Sequence, residues 1–396
     1  MSIKAYNPVW AYHQAVRRAA TRWQQQELIS APQLAAIEAA HPLSYSRPTL
    51  FIRVGIFLFT LLACSTSTGL ITLLTGFREG SFVGAGLIGG LLSLAVLELV
   101  IRESQLYHSG ADNALLYFAL GCLISTVVYV VGTATPALYR FSLANSFLTL
   151  VLVPTIGLLV LAVVRYADRW VAAAAYGALL VWLANGLLQF GAGRLLLPFA
   201  LMLTAVAGYA LVQHLIRRPD YLYYKPCYDL LKALLLATFY LGGNYLVVRE
   251  GNAALSEAGA SQQIPFAGLF YFFTAGIPLL YILVGLRRAR RTWLILGLLT
   301  LAFSLYTVRF YRSLLPPEVA AALAGAVLTG FTVWAFRYLR TPRHGLTATA
   351  PADDKQQLFN LESLIVAQTA HVPAPQAPGF EFGGGSSGGG GADGSY

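Results

Sequence analysis

The chain has 396 residues, of which 57% are hydrophobic and only 11% are charged. Soluble domains carry about 25% charged residues, so the composition excludes an ordinary soluble protein. The formal net charge of +10 does not indicate nucleic-acid binding, because the basic residues lie at the ends of apolar blocks and form no basic domain. We therefore expect the lipid bilayer as the main partner, and no nucleic acid.

The first segment, residues 1–46, is polar enough to lie outside the membrane. Ser30 and Gln33 have the spacing of a capping box, and Pro32 would lie in the first turn of the helix that follows. Together with an amphipathic stretch before it, this pattern predicts a short helical hairpin. The hairpin would either lie on the inner membrane surface or dock onto a partner.

Residues 47–340 consist of apolar blocks of about 20 residues, the length that crosses a bilayer as a helix. A chain in lipid must satisfy its own backbone hydrogen bonds, so each block is predicted to be helical. The blocks lie at 50–74, 81–101, 114–134, 146–165, 170–190, 195–216, 228–248, 266–286, 292–311 and 318–339. The predicted fold is therefore an all-α, polytopic transmembrane bundle of about ten spans.

The basic residues orient this bundle, because they concentrate on the cytoplasmic side of a membrane. Of the 27 basic residues, six fall in the joints on one side and the other 21 on the opposite side. The six are Arg78, Arg140, Arg194, Arg249, Arg309 and Arg312. We therefore predict a bacterial inner-membrane protein with both termini in the cytoplasm.

Three charged residues lie inside predicted spans, where charge is expensive. Arg53, Glu98 and Lys232 each lie a few residues from the cytoplasmic end of their span. Their similar depth would allow them to pair and to join three helices. The alternative is that each side chain extends to the membrane interface without a partner.

A second group of polar residues lies at the outer ends of the later spans. Asn244, Arg249, Arg309 and Arg312 occur there among several tyrosines. Aromatic residues at this level usually form an interface belt. The arginines and the asparagine could instead contact lipid phosphates or an anionic solute.

No residue pattern predicts a catalytic, cofactor or metal site. The run Gly84 to Gly89 spells G-x-G-x-x-G, but it lies within an apolar span, which favours close helix packing over dinucleotide binding. The histidines show no metal-ligand spacing, and the three cysteines form no CxxC pair. Carboxylates and histidines on the inner face, among them His108, Asp112 and Asp168, bring no nucleophile with them, and a solvated rim is expected.

Residues 341–396 have a composition that cannot form a core, and we expect them to be disordered. The final run contains Phe380, Phe382 and Tyr396 around many glycines. Two hypotheses stay open for it: a solubilising tail, or a motif that binds a cytoplasmic or membrane protein. Crosslinking with and without residues 380–396 would distinguish them.

Two segments resemble known proteins. The run Glu27-Leu28-Ile29-Ser30 before a short helix resembles the N-terminus of an uncharacterised family of predicted bacterial inner-membrane proteins, which usually has glycine where Glu27 stands. The glycine-rich tail that ends in Tyr396 resembles the tails of membrane-anchored TPM-domain proteins, although no TPM domain is present. Neither resemblance implies catalytic residues.

Three functions are consistent with these patterns. A non-enzymatic scaffold or sensor that acts through its cytoplasmic ends should be a closed, apolar bundle. A transporter or lipid carrier should contain a polar cavity with kinked helices near the middle of the membrane. A membrane enzyme for a lipid-linked substrate should contain converging carboxylates or histidines in a cleft.

The topology leads to a first prediction. Reporter fusions placed after Gly251 and after Gly345 should report opposite compartments, because three predicted spans separate them. Alkaline phosphatase and fluorescent-protein reporters would measure this in parallel. The same compartment for both fusions would contradict the ten-span topology.

Overall fold

The computed structural model describes residues 3–45, 48–74, 76, 79–138, 143–255, 261, 263–288 and 290–311, with single positions between 319 and 337. Within these residues the fold is all-α, as predicted. Two helices precede the apolar blocks, α1 (Pro8–Gln25) and α2 (Ala31–Ala40). The others are α3 (Leu50–Leu74), α4 (Glu79–Ser104), α5 (Ala111–Ala134), α6 (Ser146–Tyr166), α7 (Arg169–Leu188), α8 (Gly193–Leu215), α9 (Tyr221–Gly243), α10 (Tyr245–Leu255), α11 (Ala267–Arg287) and α12 (Arg291–Tyr311).

Eight helices in the described part of the chain are long and apolar enough to cross a membrane, and the bent pair α9–α10 makes up to nine. This identifies a membrane-spanning class of protein. The predicted count of ten stays a prediction, because the tenth block, 318–339, lies largely outside the described residues. Arg312 and the tail residues Phe380, Phe382 and Tyr396 lie outside them too.

The seventh predicted span differs from the sequence prediction of 228–248. Helix α9 begins at Tyr221, ends at Gly243 and is followed after Asn244 by α10, bent by 74°. At about 1.5 Å per residue, the 23 residues of α9 extend about 34 Å, which already exceeds the ~30 Å hydrocarbon core. By length alone, the bend therefore lies near the far end of the span, and α10 leaves the direction of α9 there.

Sequential helices pack as antiparallel hairpins, and glycines allow the close approach. In the α11–α12 hairpin, a Cβ atom on Gly297 would lie 2.9 Å from the backbone nitrogen of Ile282. In the α4–α5 hairpin, a Cβ on Gly90 would lie 3.3 Å from the carbonyl oxygen of Ala119, and one on Gly86 would collide with Thr126. Two glycines of the G-x-G-x-x-G run, Gly86 and Gly89, thus lie at helix contacts, as predicted, whereas nothing lies within 4 Å of a Cβ at Gly84.

The N-terminal hairpin is also formed as predicted. The Ser30 backbone N–H donates to Gln33 Oε1 at 2.8 Å at the start of α2, and Arg17 on α1 pairs with Glu38 on α2 at 3.1 Å. Glu27, between the helices, has a φ of 59°. This left-handed conformation is one that favours glycine.

The glycine packing leads to a second prediction. Gly297→Ala should lower the free energy of unfolding by about 1–3 kcal/mol, because the added methyl group is forced against backbone. The matched control is Gly177→Ala on α7, where nothing lies within 4 Å of the new Cβ and helix propensity favours alanine. Thermal melting of both variants in detergent measures the difference; equal melting temperatures would contradict the packing argument.

Candidate functional site at the N-terminal face

One end of the bundle brings together the chain's N-terminal segment and three interhelical joints. We call residues 3–10 the latch, and this end of the bundle the N-terminal face. The joints are residues 105–110 between α4 and α5, the turn Ala167–Asp168 between α6 and α7, and residues 216–220 between α8 and α9. Because successive spans run in opposite directions, the three joints are predicted to lie on the same side of the membrane. The contacts of the latch place them at the same end of the bundle.

Asp168 organises the α6–α7 turn and is 2% exposed. Its Oδ1 atom accepts from the backbone N–H groups of Trp170 and Val171 at 2.8 and 3.0 Å, which caps the N-terminus of α7. Its Oδ2 atom accepts from Asn113 Nδ2 at 2.8 Å and from the Tyr117 hydroxyl at 3.0 Å. One carboxylate therefore caps α7 and ties it to α5.

Asp112 is the second buried carboxylate of this face; it lies in the first turn of α5 and is 1% exposed. Its Oδ1 atom accepts from the backbone N–H groups of Ser109, Gly110 and Asn113 at 2.8, 3.1 and 3.0 Å. Its Oδ2 atom accepts from the Tyr6 hydroxyl of the latch at 2.7 Å. Burial, with the Asp112 charge beside it, raises the pKa of Tyr6, so the phenol keeps the proton that it donates.

The latch binds the other two joints through charge and backbone. Lys4 Nζ lies 3.1 Å from Asp220 Oδ2 beside the start of α9. The Ala5 backbone N–H donates to the carbonyl of Arg165 at 2.9 Å, and the Tyr223 hydroxyl of α9 donates to the same carbonyl at 2.6 Å. The latch thus contacts the ends of α5, α6 and α9 at once.

Glu98, predicted to pair with Arg53 or Lys232, has partners on α6 that the prediction did not include. Glu98 Oε1 accepts from Arg165 Nε at 2.6 Å and from the Tyr166 hydroxyl at 2.7 Å, both on α6. Lys232 instead pairs with Asp229 on its own helix at 3.3 Å. The pairing depends on which helix ends meet, which depth alone does not specify.

Arg53, the third member of that predicted set, lies in the first turn of α3. A Cβ on Gly110 would collide with the Arg53 backbone carbonyl. The φ of Gly110 is 108°, a conformation that glycine adopts without strain. The start of α3 therefore packs directly on the α4–α5 joint.

Asn244, predicted as an outer-face lipid contact, is fully buried. Its Nδ2 donates to the Tyr240 hydroxyl at 2.8 Å and to Thr307 Oγ1 at 3.1 Å. Its Oδ1 accepts from the backbone N–H groups of Leu246 and Val247 at 3.0 and 3.2 Å, which caps α10. The helix bend turns the side chain inwards, so its role is to support the break and not to contact lipid.

Arg249 also engages the protein's own residues. Its Nε and Nη2 atoms donate to the hydroxyl and the carbonyl of Ser261 at 2.8 and 2.9 Å. Its guanidinium lies 4.5 Å from the Tyr311 ring centroid. These contacts hold α10 against α12. The anion-binding hypothesis for Arg249 and Arg309 stays a prediction.

The chemistry open to the two buried aspartates is limited by their hydrogen bonds. A carboxylate offers about four acceptor positions, and Asp112 and Asp168 each accept bonds from at least four donors within the protein. A base that already accepts this many bonds is poorly placed to take a proton from a substrate. Within the described residues, no group of three or more His, Cys, Asp or Glu side chains could hold a metal ion. The arrangement is suited to holding helices together.

Sequence reasoning treated Asp112 and Asp168 as a solvated rim and did not single out Tyr6 or Arg165. A signal for Asp168 was present, because an aspartate directly before an apolar helical run is a typical N-cap. Asp112 lies instead in the first turn of α5, after the N-cap Gly110. The contacts of Tyr6 and Arg165 join residues more than 60 positions apart, so no local pattern could reveal them.

Comparisons of the chain with protein-family models, with curated proteins and with solved structures give no match. The two resemblances drawn from the sequence therefore stay predictions.

The site leads to a third prediction. Asp168→Ala should lower the free energy of unfolding by about 3–5 kcal/mol, because it removes an N-cap and leaves Asn113 and Tyr117 without their acceptor. The matched control is Asp229→Ala, whose carboxylate is 56% exposed and whose loss should cost less than about 1 kcal/mol. Thermal melting of both variants tests this, and equal losses would refute the central role of Asp168.

Proposed function

We propose that the protein is a non-enzymatic membrane sensor or scaffold whose N-terminal hairpin responds to the arrangement of the spans. The observation that carries this proposal is the latch. A segment outside the spans inserts the buried Tyr6 hydroxyl into the bundle and also contacts the ends of α6 and α9 through Ala5 and Lys4.

The latch contacts three hairpins, α4–α5, α6–α7 and α8–α9. Helices in a bilayer adjust to membrane thickness by changing their tilt, and a tilt change moves the ends of neighbouring hairpins relative to one another. Because the latch contacts α5, α6 and α9 together, such a movement must strain or break some of its bonds. The state of the membrane would then alter the docking of α1 and α2.

The exposed surface of the N-terminal hairpin is suited to binding a partner, which supports a signalling role for this face. Tyr12 and Trp23 on α1 and Leu28 in the turn after it are exposed large side chains, and aromatic residues are enriched where proteins bind one another. In the predicted orientation this surface lies in the cytoplasm at the bacterial inner membrane. The proposal includes a cytoplasmic or membrane protein that binds either this surface or the glycine-rich tail.

The transporter or lipid-carrier alternative draws less support. Its marker would be a polar cavity with kinked helices near the middle of the membrane. The sharp break at Asn244 instead follows a helix that is long enough to span the membrane. The enzyme alternative needs free carboxylates, and the acceptor positions of Asp112 and Asp168 are occupied. Both observations favour the sensor or scaffold.

The proposal leads to a fourth prediction, tested by hydrogen exchange of the full chain in nanodiscs of short-chain and long-chain phosphatidylcholine. Amide protection of residues 3–25 should differ between the two bilayers. Tyr6→Phe should reduce that protection by roughly 5- to 150-fold, since loss of one donor to a buried carboxylate costs about 1–3 kcal/mol. The spans should keep their protection.

The matched control is Tyr12→Phe, because Tyr12 lies on α1 shortly after the latch and its side chain is exposed. It should leave both the protection and its dependence on the bilayer unchanged. If the amide protection of residues 3–25 is identical in the two bilayers, the latch is only a structural contact. That result would contradict the sensor hypothesis.

A further inference from the structure

A long groove runs along the membrane-spanning part of the bundle between α3 and α5, with α4 as its floor. Its volume is about 760 Å³, within the range of about 300–1,000 Å³ that ligand pockets occupy. Helix α3 forms one wall and has no buried residue along its length. The groove is therefore open to the side, towards the lipid.

The helix positions of the lining residues give the length of the groove. On α5 it runs from Tyr117 to Tyr129, and on α3 from Phe57 to Thr72. At about 1.5 Å per residue these stretches are about 18 and 22 Å long, somewhat more than the ~15 Å depth of one leaflet. Its shape suits a single extended chain rather than a compact solute.

The hydroxyl groups along the groove do not make it a polar site. Thr126 Oγ1 donates to the Cys122 carbonyl at 2.9 Å, and Thr72 Oγ1 donates to the Thr68 carbonyl at 3.0 Å. These bonds stay within each helix and satisfy the hydroxyl donors of Thr126 and Thr72. A polar solute would find few free partners here.

Helix α3 is held beside the groove at two levels. Its first turn packs on Gly110, and at mid-helix a Cβ on Gly89 of α4 would lie 2.9 Å from Thr68 Oγ1. At the end towards the N-terminal face, the Phe57 and Tyr117 rings meet with centroids 6.0 Å apart. The groove is thus a defined space with a closed end.

We propose that this groove is a binding site for one acyl chain of a bilayer phospholipid. An empty apolar groove would forfeit the dispersion contacts of its walls, and water does not occupy apolar space of this kind. The acyl chains of the surrounding bilayer are the medium that the open side meets. The fixed walls at α3 and α5 hold one chain more tightly than the flat, lipid-facing surface of the other helices. This site does not depend on the sensor function.

The test reconstitutes the full chain in phosphatidylcholine vesicles that contain phosphatidylcholine with a diazirine in one acyl chain. After illumination, mass spectrometry maps the adducts. Adducts should concentrate on the groove faces of α3 and α5. An even spread over all lipid-facing helices would overturn the proposal, and this arm needs no variant.

A matched pair of variants tests whether the space itself is responsible. Gly121 lines the groove and Gly177 lies on α7, and nothing lies within 4 Å of a Cβ at either position. Gly121→Phe should reduce groove adducts several-fold by filling the space, whereas Gly177→Phe should leave them unchanged. Groove adducts that persist at full yield in a folded Gly121→Phe protein would contradict the site.

Two further experiments test whether something other than a phospholipid fills the groove. Ser125→Cys should not crosslink to a second copy or to residues 318–339, and an efficient crosslink to either would show that protein fills the groove. A photoactivatable polyisoprenoid should label the groove no better than the phospholipid does. Labelling by the polyisoprenoid alone would overturn the assignment to phospholipid.

Discussion

The structure depends on two buried carboxylates at helix N-termini. Asp112 and Asp168 lie where unpaired backbone N–H groups and the positive end of the helix dipole favour negative charge. In a low-dielectric setting an unpaired carboxylate would be very costly, so each must bind several donors. The donors come from different parts of the chain: Tyr6 from the latch, Asn113 and Tyr117 from α5. Satisfying the two charges therefore brings α5, α7 and the N-terminus together.

Local physics explains what the sequence could predict. Block length predicts the spans, and eight helices match predicted blocks to within a few residues. The capping box at Ser30 and Gln33 predicts the start of α2, because its bonds span only three residues. The bend after α9 was missed although Gly242-Gly243-Asn244 is a recognisable helix stop. Apolar residues continue on both sides of it, and hydropathy alone then runs through the break.

The contacts between distant segments could not be predicted in this way. Glu98 on α4 pairs with Arg165 near the end of α6, and one sequence carries no information on which helix ends meet. Asn244 was named as a possible contact to lipid or to an anion, but it is buried beside a bend of 74°. Of the two residues, only Glu98 was marked as unusual for its place in a membrane. Its partner was determined by tertiary packing.

Tyr117 connects the two functional hypotheses physically. Its ring closes one end of the groove, and its hydroxyl donates to Asp168. Asp168 in turn accepts from Asn113, the neighbour of the aspartate that binds Tyr6 of the latch. A chain that fills the groove lies against the ring of Tyr117, and a shift of that ring changes the distance from its hydroxyl to a buried charge. Because buried charges tolerate little loss of hydrogen bonding, the contents of the groove and the docking of the latch would act on the same carboxylate network.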